Sequence, residues 1–227
     1  MEIKIFIEKY NIFCGTNNFY ELKRAIKNYL FLKDFNDREL ILRFEETFSN
    51  TFKTKYAFTF GAGRMALFAS LKALEISKGD EVIIPAFTCV VVPNSIIYSG
   101  AQPVYIDINP HDFNIDVNQI EKAITKNTKA IYAQHTFGIP CDIKSIKALA
   151  KKYGLFVIED AAHALGGKLD GKHLGTLGDI GFFSLDHSKM INTHLGGVVV
   201  TNNEKISKKL KKIQSESPFL SNKLNRK

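Results

Sequence analysis

The sequence is poor in cysteine and proline. Its 227 residues include 3 Cys and 6 Pro. Cys14, Cys89 and Cys141 are odd in number, lie far apart and form no CxxC pair, which argues against a disulfide framework and against a zinc ribbon. With 15 Gly, 45% hydrophobic and 24% charged residues, the composition excludes collagen-like and low-complexity chains. We therefore expect a globular protein with free thiols in a reducing compartment.

Long hydrophobic runs are also absent. The longest apolar stretch, residues 82–98, is interrupted by Pro85, Pro93 and several polar residues, whereas a membrane span needs about 20 mostly apolar residues. The first ten residues, MEIKIFIEKY, scatter charges among apolar positions, and so lack the unbroken apolar centre of a secretory signal. These absences predict a cytoplasmic protein with no membrane partner.

The net charge of +8 is concentrated at one end of the sequence. From residue 201 onward there are eight basic and two acidic residues, a local excess of +6. A Lys-rich final helix is more often a solvated face than a nucleic-acid site, so we expect no nucleic-acid partner. The six histidines are scattered, and His187 and His194 lack the i, i+4 spacing of a zinc motif, so we also expect no metal site.

Strand-like and helix-like patterns alternate along most of the sequence. Short apolar runs predict buried strands at residues 81–84, 103–106, 130–133, 155–158, 180–184 and 198–201. Helical spacing of apolar residues predicts helices at residues 65–74, 117–124 and 143–153. This alternation predicts an α/β fold with a mostly parallel sheet and helices on both faces. Residues 1–50, with helix-like pieces at 20–30 and 38–48, are interpreted as a helical arm.

In such sheets ligands bind beyond the carboxyl ends of the strands. One of these ends carries GAGRMAL (residues 61–67), where Gly61 and Gly63 precede a helix that is expected to start near Arg64. Exposed amides and the helix dipole favour an anion there. A plain tight turn explains the glycines equally well. Ala66 stands where a dinucleotide fingerprint has its third glycine, and the spacing is not that of a nucleotide P-loop.

Two further strand ends carry ionisable side chains. The predicted strand at 155–158 leads into Glu159 and Asp160, with His163 three residues further on. The strand at 180–184 ends at Ser184 and leads into a loop that contains Lys189. Taken separately, the acid is compatible with a helix cap and the lysine with a solvated charge.

Together, the anion-binding turn at residues 61–64, the carboxylate of Asp160 and the amine of Lys189 suit an aldehyde cofactor that has a phosphate and a pyridine ring. Lys189 would form a Schiff base, and Asp160 would keep the ring nitrogen protonated. An ion pair at about 4 Å is worth about 4 kcal/mol at an effective dielectric constant of about 20, or about three pKa units. That is enough to keep a pyridine nitrogen protonated at neutral pH.

Several sequence blocks occur in the same order as in one known family. The blocks are GAGRMAL, GDEVIIPAFTCVVVPNSI, GAQPVYIDI, HTFGIPCDI, VIEDAAHALGG, LGDIGFFS and the SK that precedes LGGVVVTN. With them the sequence resembles the DegT/DnrJ/EryC1/StrS family of pyridoxal-phosphate-dependent sugar aminotransferases from about residue 45 to 210. The resemblance implies the large domain of the type I, aspartate-aminotransferase-like fold, with pyridoxal 5'-phosphate (PLP) as the cofactor.

The resemblance also implies roles for individual residues. Lys189 would be the Schiff-base lysine, Asp160 the partner of the pyridine nitrogen, and His163 the residue near the ring hydroxyl. The positions that would contact the phosphate are Gly63, Arg64 and Ser184.

The sequence departs from the family pattern in three ways. Cys89 stands where the family usually stacks an aromatic side chain on the cofactor ring, and the loop around Lys189 is about one residue shorter than the common form. Family members also continue into a second, smaller domain, whereas this sequence stops soon after Leu210. We therefore expect an arm (residues 1–50), the PLP-binding large domain (51–210) and a basic tail (211–227) that would begin a missing small domain.

The resemblance implies transfer of an amino group, with glutamate or a similar donor, to a keto group of a nucleotide-linked sugar. Some members of the family are dehydratases in which histidine replaces the Schiff-base lysine, and Lys189 argues against that activity. A homodimer is expected by analogy. The alternative is a catalytically silent chain that binds the cofactor weakly or acts only as an interaction partner.

Overall fold

Helices and strands alternate through most of the chain. The computed structural model describes residues 19–31, 38–193 and 195–217. The helices are α1 (Phe19–Phe31), α2 (Arg38–Phe52), α3 (Gly63–Ala73), α4 (Val91–Ser99), α5 (Val117–Ala123), α6 (Ile143–Tyr153) and α7 (Glu204–Glu216). The strands are β1 (Tyr56–Phe60), β2 (Glu81–Pro85), β3 (Gln102–Ile106), β4 (Thr128–Gln134), β5 (Phe156–Asp160), β6 (Lys168–Leu169), β7 (Lys172–His173), β8 (Ile180–Ser184) and β9 (Gly197–Thr201). The predictions for Cys14, for His194 and for residues 218–227 fall outside the described residues.

Seven of the strands form one sheet in the order β1-β9-β8-β5-β4-β2-β3. The pairs from β8 to β3 are parallel, whereas β9 pairs antiparallel with both β1 and β8. Strand β9 thus opposes the other six, and the carboxyl ends of those six strands lie along one edge. This arrangement confirms the predicted mostly parallel α/β sheet.

Helices cover both faces of the sheet, as the sequence predicts. On one face, Leu67 and Leu71 of α3 and Leu210 of α7 are buried in a cluster with strand residues such as Ile84 and Val199. The opposite face is covered in two parts, by α5 and α6 over the β2, β4 and β5 side and by α2 over the β1, β9 and β8 side. Buried strands therefore read as continuous apolar runs, because neither face meets water.

Strand β1 and helix α4 were not predicted from the sequence. Strand β1, YAFTF, is an edge strand with three half-buried residues, and so shows no long apolar run. Helix α4, VVPNSIIYS, contains Pro93, which usually breaks a helix. Pro93 is the third residue of α4, and in a first turn a backbone N–H has no partner within the helix to lose.

The end of the predicted arm packs into the sheet domain. Phe48 and Phe52 of α2 are buried, and each ring lies 5.1 Å from the ring of Phe183 in β8, measured between centroids. Glu45 of the same helix is also buried and accepts hydrogen bonds from the backbone N–H of Thr59 (2.6 Å) and from Nε2 of Gln214 (2.6 Å). Helix α2 thus contacts β1, β8 and α7, while the division of the chain at residues 50 and 210 stays a prediction.

Candidate active site

A cavity of about 490 Å³ lies at the edge where the parallel strands end. Its size falls within the range of small-molecule sites, about 300 to 1,000 Å³. Segments that follow β1, β2, β4, β5 and β8 line it. The lining includes all seven residues that the sequence singles out: Gly63, Arg64, Cys89, Asp160, His163, Ser184 and Lys189. The structure therefore brings the predicted residues together at one site.

Asp160, the last residue of β5, presents its carboxylate to this cavity. The side chain is almost buried, and the residue is 8% exposed. Its Oδ1 accepts a hydrogen bond from the backbone N–H of Ala162 (2.8 Å), and its Oδ2 accepts one from the hydroxyl of Tyr132. A nearly buried charge needs such partners, because burial without them is costly. Burial, followed by the negative charge of Asp160, raises the pKa of Tyr132 well above 10.0, so the phenol stays protonated and donates.

Glu159, the neighbouring residue in β5, points to the opposite face of the sheet. The alternation of side chains along a strand separates the two carboxylates. Glu159 is fully buried and accepts hydrogen bonds from the backbone N–H groups of Gly175 (2.6 Å), Leu177 (2.6 Å) and Gly178 (2.8 Å). It also contacts Nε2 of His135 at 2.8 Å. Glu159 thus holds the loop before β8, and the adjacent Asp160 is left to the cavity.

The amino end of α3 forms a close-packed cradle beside Ser184. Ala62 precedes the helix in an extended conformation, and no side chain of the described residues caps it. A Cβ atom on Gly63 would lie 2.8 Å from Cβ and 2.9 Å from Oγ of Ser184, so only glycine fits there. Arg64 is exposed and lines the cavity. Uncapped amides, a serine hydroxyl and a guanidinium together suit a phosphate group.

Lys189 and His163 also line the cavity. Lys189 is half-buried in the loop after β8, and its backbone N–H donates to the carbonyl of Asp186 at 2.8 Å. The ring of His163 lies parallel to that of Phe137, with the centroids 6.1 Å apart. Partial burial and then the nearby positive charge of Lys189 lower the pKa of His163 below 6.5, while Asp160 opposes this shift. His163 is therefore mostly neutral at pH 7 and lies within electrostatic reach of both groups.

The segment after β2 that carries Cys89 is held in place by Gln134. Gln134, the last residue of β4, accepts a hydrogen bond from Oγ1 of Thr88 (2.5 Å) and donates from Nε2 to the carbonyl of Phe87 (3.2 Å). Its Nε2 also donates to Oγ1 of Thr136 at 2.8 Å. Cys89 is exposed at the cavity, so a thiol occupies the position at which the resemblance implies an aromatic ring.

Tyr132 and Gln134 are two polar residues at or beside the site that the sequence analysis did not single out. Both lie in β4 at alternate positions, on the same face as Asp160, which is paired in register with Gln134. The signals were present in the sequence. A buried tyrosine needs a hydrogen-bond partner for its hydroxyl, and a glutamine at a strand end lies beside the ligand edge.

The residues present fit PLP. The cradle at α3 suits its phosphate, the carboxylate of Asp160 suits a protonated pyridine nitrogen, and the amine of Lys189 suits its aldehyde. Among the residues that the structure describes, no group of three or more His, Cys, Asp or Glu side chains is arranged to hold a metal ion. Within the same part of the chain, no helix is long and apolar enough to cross a membrane.

Two curated proteins are similar in sequence to this chain. GDP-perosamine synthase of Escherichia coli O157:H7 is 46% identical over 164 residues, which are 72% of this chain and 45% of that protein. UDP-N-acetyl-3-dehydro-alpha-D-glucosamine 3-aminotransferase of Acidithiobacillus ferrooxidans is 43% identical over 159 residues, which are 70% of this chain and 43% of that protein. The chain thus spans about half the length of the curated relatives it matches.

Solved structures share the fold. An aminotransferase from Psychrobacter cryohalolentis aligns with a TM-score of 0.82 and 34% identity, over 86% of this chain and 50% of its own. A GDP-4-keto-6-deoxymannose-3-dehydratase, solved with a trapped PLP-glutamate geminal diamine, aligns with a TM-score of 0.81 and 30% identity, over 88% of this chain and 53% of its own. A model described as the DegT/DnrJ/EryC1/StrS aminotransferase family matches residues 21–221. These findings confirm the predicted fold class and support the predicted cofactor.

Proposed function

Because this chain belongs to the DegT/DnrJ/EryC1/StrS aminotransferase family, we propose that it binds PLP in this cavity. We further propose that it takes part in moving an amino group from an amino acid to a keto group of a nucleotide-linked sugar. Both curated relatives are named for nucleotide-linked sugars, which supports this substrate class. The dehydratase was solved with glutamate joined to PLP, which supports glutamate as the amino donor.

One observation carries the proposal: Lys189, Asp160 and the cradle at Gly63 and Ser184 open into the same cavity. They come from three separate strand ends, and each of them alone is compatible with an ordinary structural role. A cavity that is lined at once by an amine, a nearly buried carboxylate and an uncapped helix end matches the chemical groups of PLP.

PLP, when bound, supplies a ring that accepts electrons from the reacting carbon of the substrate. The chain's own residues bind it and move protons. The Nζ atom of Lys189 would hold the aldehyde group of the cofactor and, when free, would serve as the base that carries a proton during transfer. Asp160 would keep a proton on the ring nitrogen through a charge pair, which would maintain the electron demand of the ring.

The remaining site residues orient the cofactor. The amides at the start of α3, the hydroxyl of Ser184 and the guanidinium of Arg64 would bind the phosphate. His163 would be the residue near the ring hydroxyl, and Cys89 would offer its polarizable sulfur to the ring. In this proposal Lys189 also favours amino transfer over dehydration, because the family's dehydratases carry histidine at that position.

The proposal extends to the assembly. By analogy with the family, the active protein is a homodimer with shared sites, works in the cytoplasm, and needs a small domain beyond the large one to complete the sugar pocket. The described residues then supply the cofactor half of the site.

Cofactor binding is tested by adding PLP to the purified protein and recording its visible absorption. We expect a yellow species that survives gel filtration and is lost in Lys189→Ala. Lys151→Ala is the matched control, because Lys151 is an exposed lysine on α6 outside the cavity. Protein that stays colourless with excess PLP, while its circular dichroism spectrum shows that it is folded, would contradict the proposal.

A second measurement separates an enzyme from a binder. Glutamate is added to the yellow protein, and the fate of the cofactor is followed by its spectrum and by mass spectrometry. Conversion to pyridoxamine phosphate supports the transfer half-reaction. A yellow protein that glutamate leaves unchanged would instead support the alternative, a chain that binds the cofactor without catalysing transfer.

A further inference from the structure

Tyr132 lies next to the cavity but outside its lining, and it contacts Asp160, the residue on which the proposed cofactor chemistry depends. Its side chain is fully buried, and its hydroxyl donates a hydrogen bond to Oδ2 of Asp160. Tyr132 is in register with Ile158 and lies diagonally across from Asp160, so the two side chains share one face of the sheet. The rest of the ring packs in the core, 6.2 Å from the ring of Phe182 between centroids.

A carboxylate has about four lone-pair positions for hydrogen bonds. In Asp160 the backbone N–H of Ala162 takes one on Oδ1, and Tyr132 takes one on Oδ2. These two donors fix the plane of the carboxylate and leave further lone pairs for a cationic partner. Both donors are hydrogen-bonded to carboxylate oxygens, so they restrict rotation of the carboxyl group.

We propose that Tyr132 is a positioning residue, whose hydroxyl holds the carboxylate of Asp160 in the orientation that pairs with a protonated pyridine nitrogen. This inference rests on the proposed function and assigns to it a residue outside the cavity lining. Burial, followed by the charge of Asp160, raises the pKa of Tyr132, so the hydroxyl remains a donor through the neutral range.

A plain structural role makes a different prediction. If the hydroxyl only satisfied a buried polar group, its removal would change the stability of the fold and leave the recognition of the pyridine nitrogen unchanged. Tyr132→Phe removes the oxygen and keeps the ring, so it tests the hydrogen bond with little disturbance of packing.

The experiment measures the dissociation constants of two ligands for each variant by isothermal titration calorimetry. One ligand is PLP, and the other is its deaza analogue, in which a C–H group replaces the ring nitrogen. We expect Tyr132→Phe to bind PLP about tenfold more weakly (about 1.4 kcal/mol) and the deaza analogue as the wild type does. The matched control is Tyr153→Phe. Tyr153, an exposed residue at the end of α6, also donates to a carboxylate, that of Glu121 in α5.

The outcomes distinguish failure of the proposed function from failure of the role given to Tyr132. Wild-type protein that does not bind PLP would overturn the proposed function. Wild-type protein that binds PLP, with Tyr132→Phe indistinguishable for both ligands or weakened equally for both, would overturn this inference alone. Should Tyr132→Phe fold poorly, both ligands are measured at a lower temperature at which its circular dichroism spectrum matches that of the wild type, and equal weakening of both there overturns the inference. Where Tyr132→Phe folds, its combination with Asp160→Asn should show less than the product of the two single effects.

Discussion

At the scale of single residues, two adjacent carboxylates have different surroundings because a strand turns successive side chains to opposite faces. Glu159 meets backbone N–H groups and His135 in a fully buried position, whereas Asp160 meets one phenol and one amide at the edge of a cavity. The nitrogen Nδ1 of His135 accepts from the backbone N–H of Cys141 (3.2 Å), which leaves Nε2 to donate to Glu159. Of two neighbouring carboxylates, one thus anchors a loop and the next faces a ligand site.

His163 gives the first pH prediction. Because partial burial and the charge of Lys189 lower its pKa in the folded protein, the ring should titrate below 6.5 in the absence of cofactor. As the pH falls below about 6.5, the unfolded chain binds protons more readily than the folded one, so this residue destabilises the fold progressively until the folded ring is also protonated. The measurement is an NMR titration of the imidazole Cε1 proton, assigned with His163→Gln.

A variant at the neighbouring charge checks the cause. Lys189→Ala removes the repulsive ammonium, so the midpoint of His163 should rise, whereas Lys151→Ala should leave it unchanged. A midpoint at or above 6.5 in the wild type would show that the surroundings of His163 do not disfavour its charged form.

The chemically active residues were largely predictable, since strand-end position and family motifs mark Asp160, Lys189 and the glycine cradle. Their convergence on one cavity is confirmed, while their roles stay predictions. Tyr132 was not predicted because its run, residues 130–133, reads as an ordinary apolar strand. Only the register of β4 against β5 places its hydroxyl on Asp160, and register is not visible in a single sequence.

At the scale of elements, the loop before β8 depends on Glu159. Three backbone N–H groups in residues 175–178 donate to this one carboxylate. Glu159→Ala would leave them and His135 buried without a partner, so we expect a loss of more than about 3 kcal/mol in the free energy of unfolding. Urea denaturation at pH 7 measures it.

The control for this loss is a glutamate on the surface. Glu121 bonds Lys152 and Tyr153 on an exposed helix face, where solvent screens the pair, so Glu121→Ala should change stability little. Equal effects of the two substitutions would contradict the role assigned to Glu159.

Helices and strands were predicted where the spacing of apolar residues was regular. They were missed where one residue or a mixed exposure pattern is atypical of the element. Pro93 concealed α4, and the mixed exposure of β1 concealed a strand. The strand expected at residues 155–158 extends from 156 to 160, because the buried carboxylates that end it are satisfied by hydrogen bonds that the sequence does not display.

At the scale of the whole molecule, Glu45 connects parts of the chain that lie far apart in sequence. Its Oε1 accepts from the backbone N–H and the hydroxyl of Thr59 (2.6 and 2.8 Å) and from Nε2 of Gln214 (2.6 Å). Gln214 also donates to the carbonyl of Thr59 at 3.0 Å. One buried carboxylate therefore joins α2, β1 and α7.

We expect Glu45→Ala to lower the free energy of unfolding by about 1–3 kcal/mol, because the half-buried backbone N–H of Thr59 loses its acceptor. Glu46→Ala, at the exposed neighbouring position, is the control. Hydrogen exchange should show faster exchange in α2 and α7 together in Glu45→Ala. Loosening of α2 alone would show that α7 is held independently.

The sheet as a whole was predicted as mostly parallel, and its strand order was not. The order depends on which strands the long connections bring together, and the single opposing strand β9 pairs with β1 across more than 130 residues of sequence. Such non-local pairing leaves no local periodicity to detect.

This pairing has a consequence for how the chain folds during synthesis. Strand β1 lies at the edge of the sheet, and among the described strands it pairs with β9 alone. At about 5–20 residues per second, translation from Phe60 to Gly197 takes roughly 7 to 27 s. For that interval the nascent β1 is without its partner, and α2 is without the contact that Gln214 provides. Of the described strands, the first to leave the ribosome is thus among the last to join the sheet.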